Sequence, residues 1–238
     1  YRIRLRVVLI IKELEWKICK KIQKDRRLGM NKGILVVISG FSGAGKGTIM
    51  KELVKRYDYH LSISATTRKA RTGEVHGKDY YFHTREEFQQ MIEQSELIEW
   101  AEYVGNYYGT PKKYVQQQLE AGRDVLLEIE MQGGMQVKEK FPDALLIFIS
   151  PPSAKALKER LTGRGTETPQ EIEKRLLRAV EEVQYMKDYD YIVVNDNLEE
   201  AVDKVNHLIQ YDHYKSCNSV LLIEKMASEL SRFAAKGI

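Results

Sequence analysis

Residues 40 to 48 read Gly40-Phe41-Ser42-Gly43-Ala44-Gly45-Lys46-Gly47-Thr48, four glycines and a lysine within nine positions. Glycines at that spacing let successive backbone N–H groups converge on phosphate oxygens, and Lys46 adds a mobile point charge, which predicts a cradle for a nucleoside triphosphate. Ser or Thr usually follows the lysine of such a loop, but here Gly47 stands in that place. Thr48 is then displaced from the metal-facing position, and Mg²⁺ is expected to be held mainly by phosphate oxygens and water. A second set of chemistry-bearing side chains lies in 62–82 and 97–110, where Arg, Tyr, Ser and Glu are interleaved with glycine. Forked guanidinium groups suit bidentate contact with a phosphate, and a carboxylate suits paired N–H donors.

These residues need elements to position them. The apolar run Ile34 to Ile38 precedes the loop, and Ile49, Leu53 and Val54 follow it at the spacing of one helical face. A strand, a glycine loop and a helix in that order are the context such a loop requires. Further apolar runs at Val125–Ile129, Ala144–Ile149 and Tyr191–Val194 alternate with helical patterns, which predicts an α/β fold with a mostly parallel sheet and helices on both faces. Thr168-Pro169-Gln170-Glu171 and Thr84-Arg85-Glu86-Glu87 are capping boxes. The first opens a helix with Ile172, Leu176, Ala179, Val180, Val183 and Met186 on one face, and the second a helix with Phe88, Met91 and Ile92 inward. A third stripe comprises Leu198, Ala201, Val202, Val205, Leu208 and Ile209. Short strand-like pieces at 79–82 and 97–104 set residues 66–110 apart as an insert, and Thr162 to Thr168 reads as a mobile lid.

Composition narrows the function classes. The chain carries 38 basic and 34 acidic residues, a net +4 that suggests a nucleic-acid partner until the charges are located. Ten basic and three acidic residues fall in the first 29 positions, which leaves 28 and 31 in the rest. The mildly acidic remainder argues against nucleic-acid binding. Cys19 and Cys217 do not suggest a disulfide framework, and Val7–Ile11 is too short an apolar run to span a bilayer. A cytoplasmic protein with no membrane partner is therefore expected. The five histidines lack metal-ligand spacing, so no protein-held metal site is assigned. No reading of oligomeric state follows.

Taken with the phosphate loop, the stretches 62–82, 97–110, Glu128-Ile129-Glu130-Met131-Gln132-Gly133, Arg160 to Thr168 and Val194-Asn195-Asp196 closely resemble guanylate kinase, from about Gly33 to Gln210. The resemblance implies a P-loop nucleoside monophosphate kinase fold with an inserted GMP-binding subdomain and a mobile lid. The implied activity is transfer of the γ-phosphoryl group of ATP to GMP, and to dGMP, with Mg²⁺ bound alongside ATP. It places Arg68, Arg71, Tyr80 and Tyr108 on the acceptor phosphate, and Lys46, Arg160, Arg164 and Arg175 around the donor and the transferred group. Glu99 would accept the guanine N1–H and 2-amino protons, Ser64 would donate to O6, and Thr110 and Glu130 would complete the pocket. Glu130 either touches the base or orders Mg²⁺ through water. Asn195 and Asp196 would meet the adenine. Two other classes compete: an inactive module of this fold that binds peptides, against which stand Lys46, Arg160 and Arg164, and a P-loop kinase for another acceptor, against which stand Glu99 and Ser64.

The organisation expected is a catalytic domain over 30–210, with core 33–65 and 111–210, GMP-binding subdomain 66–110 and lid about 160–170, flanked by extensions 1–29 and 211–238. Arg26-Arg27 can be encoded by AGG-AGG just ahead of Met30, so residues 1–29 are read as a translated leader with Met30 as the start. A basic targeting segment is the rival reading, and Glu13, Glu15 and the absence of serine disfavour it. In the tail, Leu221, Leu222, Lys225, Met226, Leu230 and Phe233 have helical spacing.

Overall fold

The computed structural model describes residues 32–103, 105–163 and 168–235. The leader reading of residues 1–29, the Met30 start, Arg164 and the centre of the expected lid lie outside the described residues.

Residues 33–215 form one compact unit. At its centre runs β1 (Leu35–Gly40), buried along its whole length because it has a sheet neighbour on each side and helices packed over its apolar side chains. Its parallel partners are β7 (Val125–Glu128) and β8 (Leu145–Ser150), with β2 (His60–Leu61) and β9 (Tyr191–Val194) at the edges in the order β2-β7-β1-β8-β9. The two-residue β2 has too short an apolar pattern to be read from sequence. Helices α1 (Lys46–Arg56) and α7 (Leu198–Asp212) pack on this sheet through Ile49, Met50 and Leu53, and through Ala201, Val202, Val205 and Ile209. Val54, expected on the packed face of α1, is 39% exposed, and Met50 takes the inward place.

A second sheet, ordered β4-β3-β6-β5, is built from β3 (Ala65–Thr66), β4 (Tyr81–Phe82), β5 (Leu97–Tyr103) and β6 (Asn106–Pro111). Its own small core of Ala65, Phe88 and Leu97 is closed by α2 (Arg85–Glu93), which Thr84 and Glu87 cap reciprocally. Helix α3 (Lys112–Glu120) leads from β6 back to β7, and α4 (Met131–Lys140) leads from β7 to β8. After β8 come α5 (Ala154–Thr162) and α6 (Pro169–Glu182).

The apolar stripe of α6 holds only in part. Val180 is 66% exposed because it lies about 100° round from Ala179, past the edge of the stripe. Val183 opens the 3₁₀ turn Val183–Asp188 and is rotated outward by its tighter pitch. Packing also continues beyond Gln210: the buried Asp124 accepts from the Ile34 N–H at 2.9 Å and meets His213 Nε2 at 3.0 Å. Residues 216–235 belong to a separate unit, in which α8 spans Val220–Ala235 as the tail spacing predicts.

Candidate active site

Four parallel strands of the central sheet end on the same side, and each delivers a part of the site there, as the carboxyl ends of an open α/β sheet do. From β1 comes the loop 41–45, from β7 Glu128, from β9 Asn195, and β8 leads through Ser150 to α5.

Helix α1 starts at Lys46, so its first N–H groups, which have no intrahelical acceptor, face the loop interior with the positive end of the helix dipole. Gly45 caps α1 in the left-handed region, φ 93°, where a Cβ would sit 2.5 Å from Asn195 Nδ2. The same amide donates to the Ala44 carbonyl at 2.8 Å, and Arg160 donates to the Asn195 carbonyl at 2.7 Å and to Ala44 O at 3.4 Å. The side chain expected beside the adenine is therefore 7% exposed and engaged as a latch on the loop, whereas Asp196 is exposed. Lys46 Nζ donates to the carbonyls of Gly40 and Phe41 at 2.7 and 3.3 Å. Arg175 reaches down from α6 to hydrogen-bond Ser42 Oγ, through Nε at 3.1 Å and through Nη2.

Below the loop opens a cleft of about 410 Å³, and it brings Lys46 together with Ser64, Arg68, Arg71, Tyr80, Glu99, Tyr108 and Glu130. Arg68 pairs with Glu74 Oε1 at 2.9 Å and lies 5.3 Å from the Tyr80 ring centroid, while Glu74 Oε2 accepts the Arg71 N–H at 2.8 Å. One carboxylate thus gathers both arginine segments, and its hydrogen bond from Arg68 holds it below the usual carboxylate range. Tyr80 and Tyr108 meet edge to face at 6.2 Å. Burial pushes the Tyr80 phenol up.

In the same cleft, Glu99 is 4% exposed and accepts a 2.6 Å hydrogen bond from Thr110 Oγ1. Burial raises its carboxyl to about 7, with Thr110 and the Lys140 charge opposing the shift. A buried acid whose hydrogen bonds come from Thr110 alone has room for further donors.

Sequence reasoning gave no role to several residues that the fold brings here. Glu128 lies against Gly47 and Lys46, and burial pushes its carboxyl up while Lys46 pulls it down. From α6, Arg178 reaches Glu130 at 3.4 Å and the buried Glu182 at 2.8 Å. The sequence signal was present: Arg175, Arg178 and Glu182 recur at i, i+3 and i+7. Gly133 is the fourth omission, because a Cβ there would come within 2.5 Å of Glu99 Oε2.

A phosphate loop and a facing, separately built acceptor cleft on a parallel sheet define the class of P-loop nucleoside monophosphate kinases. Comparison with known proteins agrees: the guanylate kinase family profile matches residues 32–212. The chain is 51% identical over 185 residues to the guanylate kinase of Lactococcus lactis, covering 77% of this chain and 90% of that protein. Against that of Bacillus subtilis it is 52% identical over 186 residues, covering 77% and 91%. The crystal structure of guanylate kinase from Anaplasma phagocytophilum aligns with a TM-score of 0.66 at 34% identity, covering 79% of this chain and 90% of that one. This chain belongs to the guanylate kinase family.

Proposed function

We infer that this chain is a phosphotransferase that moves the γ-phosphoryl group of ATP to GMP, and to dGMP, releasing ADP and GDP. The observation that carries this reading is a cleft lined both by Lys46 of the phosphate loop and by the buried carboxylate of Glu99. An oxygen of the acceptor phosphate attacks the γ-phosphorus as the bond to the β–γ bridging oxygen breaks. Two polyanions must meet, so cations are needed on both sides. Arg68, Arg71, Tyr80 and Tyr108 take the acceptor phosphate, and binding moves Arg68 from Glu74 to that phosphate. Lys46, Arg160, Arg164 and Arg175 surround the donor and the transferred group, while Asn195 holds the loop beside Asp196. Glu99 accepts the guanine N1–H and 2-amino protons, with Ser64 donating to O6 and Thr110 fixing the carboxylate. Adenine has a lone pair at N1 and meets Glu99 unfavourably.

Oxygen donors surround the loop: the Glu128 carboxylate lies against Gly47, and Glu130 lines the same cleft. This donor set suits a hard cation, and Glu128 and Glu130 would hold Mg²⁺ through water beside the nucleotide phosphates. Mg²⁺ supplies neutralisation of phosphate charge when bound. The catalytic domain of this reading is 30–210, with 66–110 as the acceptor-binding insert and about 160–170 as the lid. Among the described residues no helix is long and apolar enough to cross a membrane. The exposed Cys217 thiol suits a reducing compartment, and we place the protein in the cytoplasm.

Steady-state assays with GMP, dGMP, AMP and UMP test the reading. GMP and dGMP should exceed AMP in kcat/KM by about 10⁴ or more, the discrimination available when a wrong ligand leaves buried polar groups unpaired. Comparable turnover of AMP would overturn it.

A further inference from the structure

Glu99 sits in an irregular stretch of β5. Leu97 pairs with Pro111 and Trp100 with Gly109, so two residues, Ile98 and Glu99, oppose the single Thr110. A bulge of this kind re-aims side chains and leaves backbone groups without ladder partners. β5 is also the edge strand of its sheet, so the outward backbone groups of the bulge and of Trp100 beside it have no strand to pair with, and α4 supplies their partners. Lys140 Nζ donates to the Ile98 carbonyl at 2.7 Å. The Gln136 side chain closes a two-point bond with Trp100, donating to its carbonyl at 2.9 Å and accepting from its N–H at 3.3 Å. Between them, Gly133 lets the helix backbone approach the Glu99 carboxylate. Gly133, Gln136 and Lys140 stand at i, i+3 and i+7, one face of α4. That face therefore grips three consecutive residues of β5, and its middle contact is with the base-reading side chain.

We propose that Gln136 and Lys140 are positioning residues for purine selection: by holding the outer backbone of the edge strand β5 on either side of Glu99, at Ile98 in the bulge and at Trp100 beside it, they aim Glu99 into the cleft. This rests on the reading of Glu99 as the group that accepts the guanine protons. Neither side chain lies where substrate would touch it, so the expected signature is selective. IMP, which lacks the 2-amino group, meets only half of the Glu99 acceptor pair. A slackened bulge should therefore reduce the preference for GMP over IMP, while ATP binding, built on β1 and α1, stays unchanged.

The test measures GMP, IMP and ATP kinetics for full-length Gln136→Met, Lys140→Met, Lys140→Arg and Glu99→Gln. Each Met variant should raise KM for GMP about tenfold and lower the GMP-to-IMP ratio of kcat/KM by a similar factor, the scale of one lost hydrogen bond at the upper end. Saturated kcat and KM for ATP should stay within about twofold, and Lys140→Arg should restore most of the GMP preference. Should Gln136→Met not fold, Lys140→Met, at the exposed end of α4, carries the same expectation. An unchanged GMP-to-IMP ratio in the Met variants, or an equal fall for GMP, IMP and ATP, would overturn the proposal. If Glu99→Gln lowers the ratio and the Met variants do not, the positioning role alone fails. If Glu99→Gln leaves the ratio unchanged, the base-reading role fails first.

Discussion

The phosphate loop, through Lys46, and the Glu99 pocket border one cleft and are made differently. Nine consecutive residues form the loop, and it is built mainly of backbone: four glycines and the first N–H groups of α1, with Lys46 beside them. The Glu99 pocket is assembled from side chains far apart in sequence: Thr110 from β6, Gly133 from α4, Ser64 from the run before β3. A backbone site tolerates change in most side chains and depends on a few glycines. A side-chain site depends on each member, because every partner removed leaves a buried carboxylate less satisfied.

The contrast is open to measurement. Lys46 is the chief side chain of the backbone-built end, so Lys46→Ala should cut kcat by roughly 10²- to 10³-fold, the scale of one lost electrostatic donor, with GMP affinity within about twofold by calorimetry. A large loss of GMP binding would show that the two ends are not separable.

Glu99→Gln should act at the other end alone. Loss of a charged acceptor from a buried site should lower kcat/KM for GMP by about 30- to 150-fold, or about 2–3 kcal/mol, with KM for ATP unchanged. The same variant should be more stable. Because burial raises the Glu99 carboxyl from 4.5 to about 7, the folded chain without substrate binds more protons than the unfolded chain across that window. Its stability therefore falls as pH rises from about 4.5 through 7, by on the order of 3 kcal/mol in total. Urea unfolding at pH 8 should favour Glu99→Gln, and the advantage should vanish below pH 4.5. A Gln variant less stable at pH 8 would contradict the burial of a strained charge.

Binding should show the same proton. Guanine donors require the carboxylate, so GMP affinity should rise about tenfold between pH 6 and 8 from this group alone, the change in ionised fraction for a carboxyl near 7. Glu99→Gln should lose that component while keeping the titration of the GMP phosphate itself. Smaller effects distinguish the supports. Thr110→Val should weaken GMP about tenfold, and Asn195→Ala should raise KM for ATP a few-fold, each the scale of about 1 kcal/mol for one buried hydrogen bond. GMP kinetics unmoved by Asn195→Ala would confirm that this latch serves the donor end only.

Much of the donor end was legible because its determinants are local. The order strand, glycine loop, helix is visible over Ile34–Leu53, and the capping boxes at Thr84 and Thr168 mark helix starts within a few residues. Arg178 and Glu182 were overlooked because their spacing competes with the apolar stripe of α6. Glu74 hides in a turn among many polar residues, and nothing local announces that it holds both Arg68 and Arg71.

The amino-acid sequence by itself determined the parallel α/β frame, the phosphate loop and the identity of the polar residues that could serve an acceptor, since glycine spacing, apolar periodicity and residue type are all properties of neighbours along the chain. Only the tertiary structure decided that Glu99 is buried, that its carboxyl rises to about 7 and that α4 grips the strand on either side of it. Those outcomes depend on desolvation and on backbone groups completed across more than thirty residues of separation, and no pattern of adjacent residues encodes either.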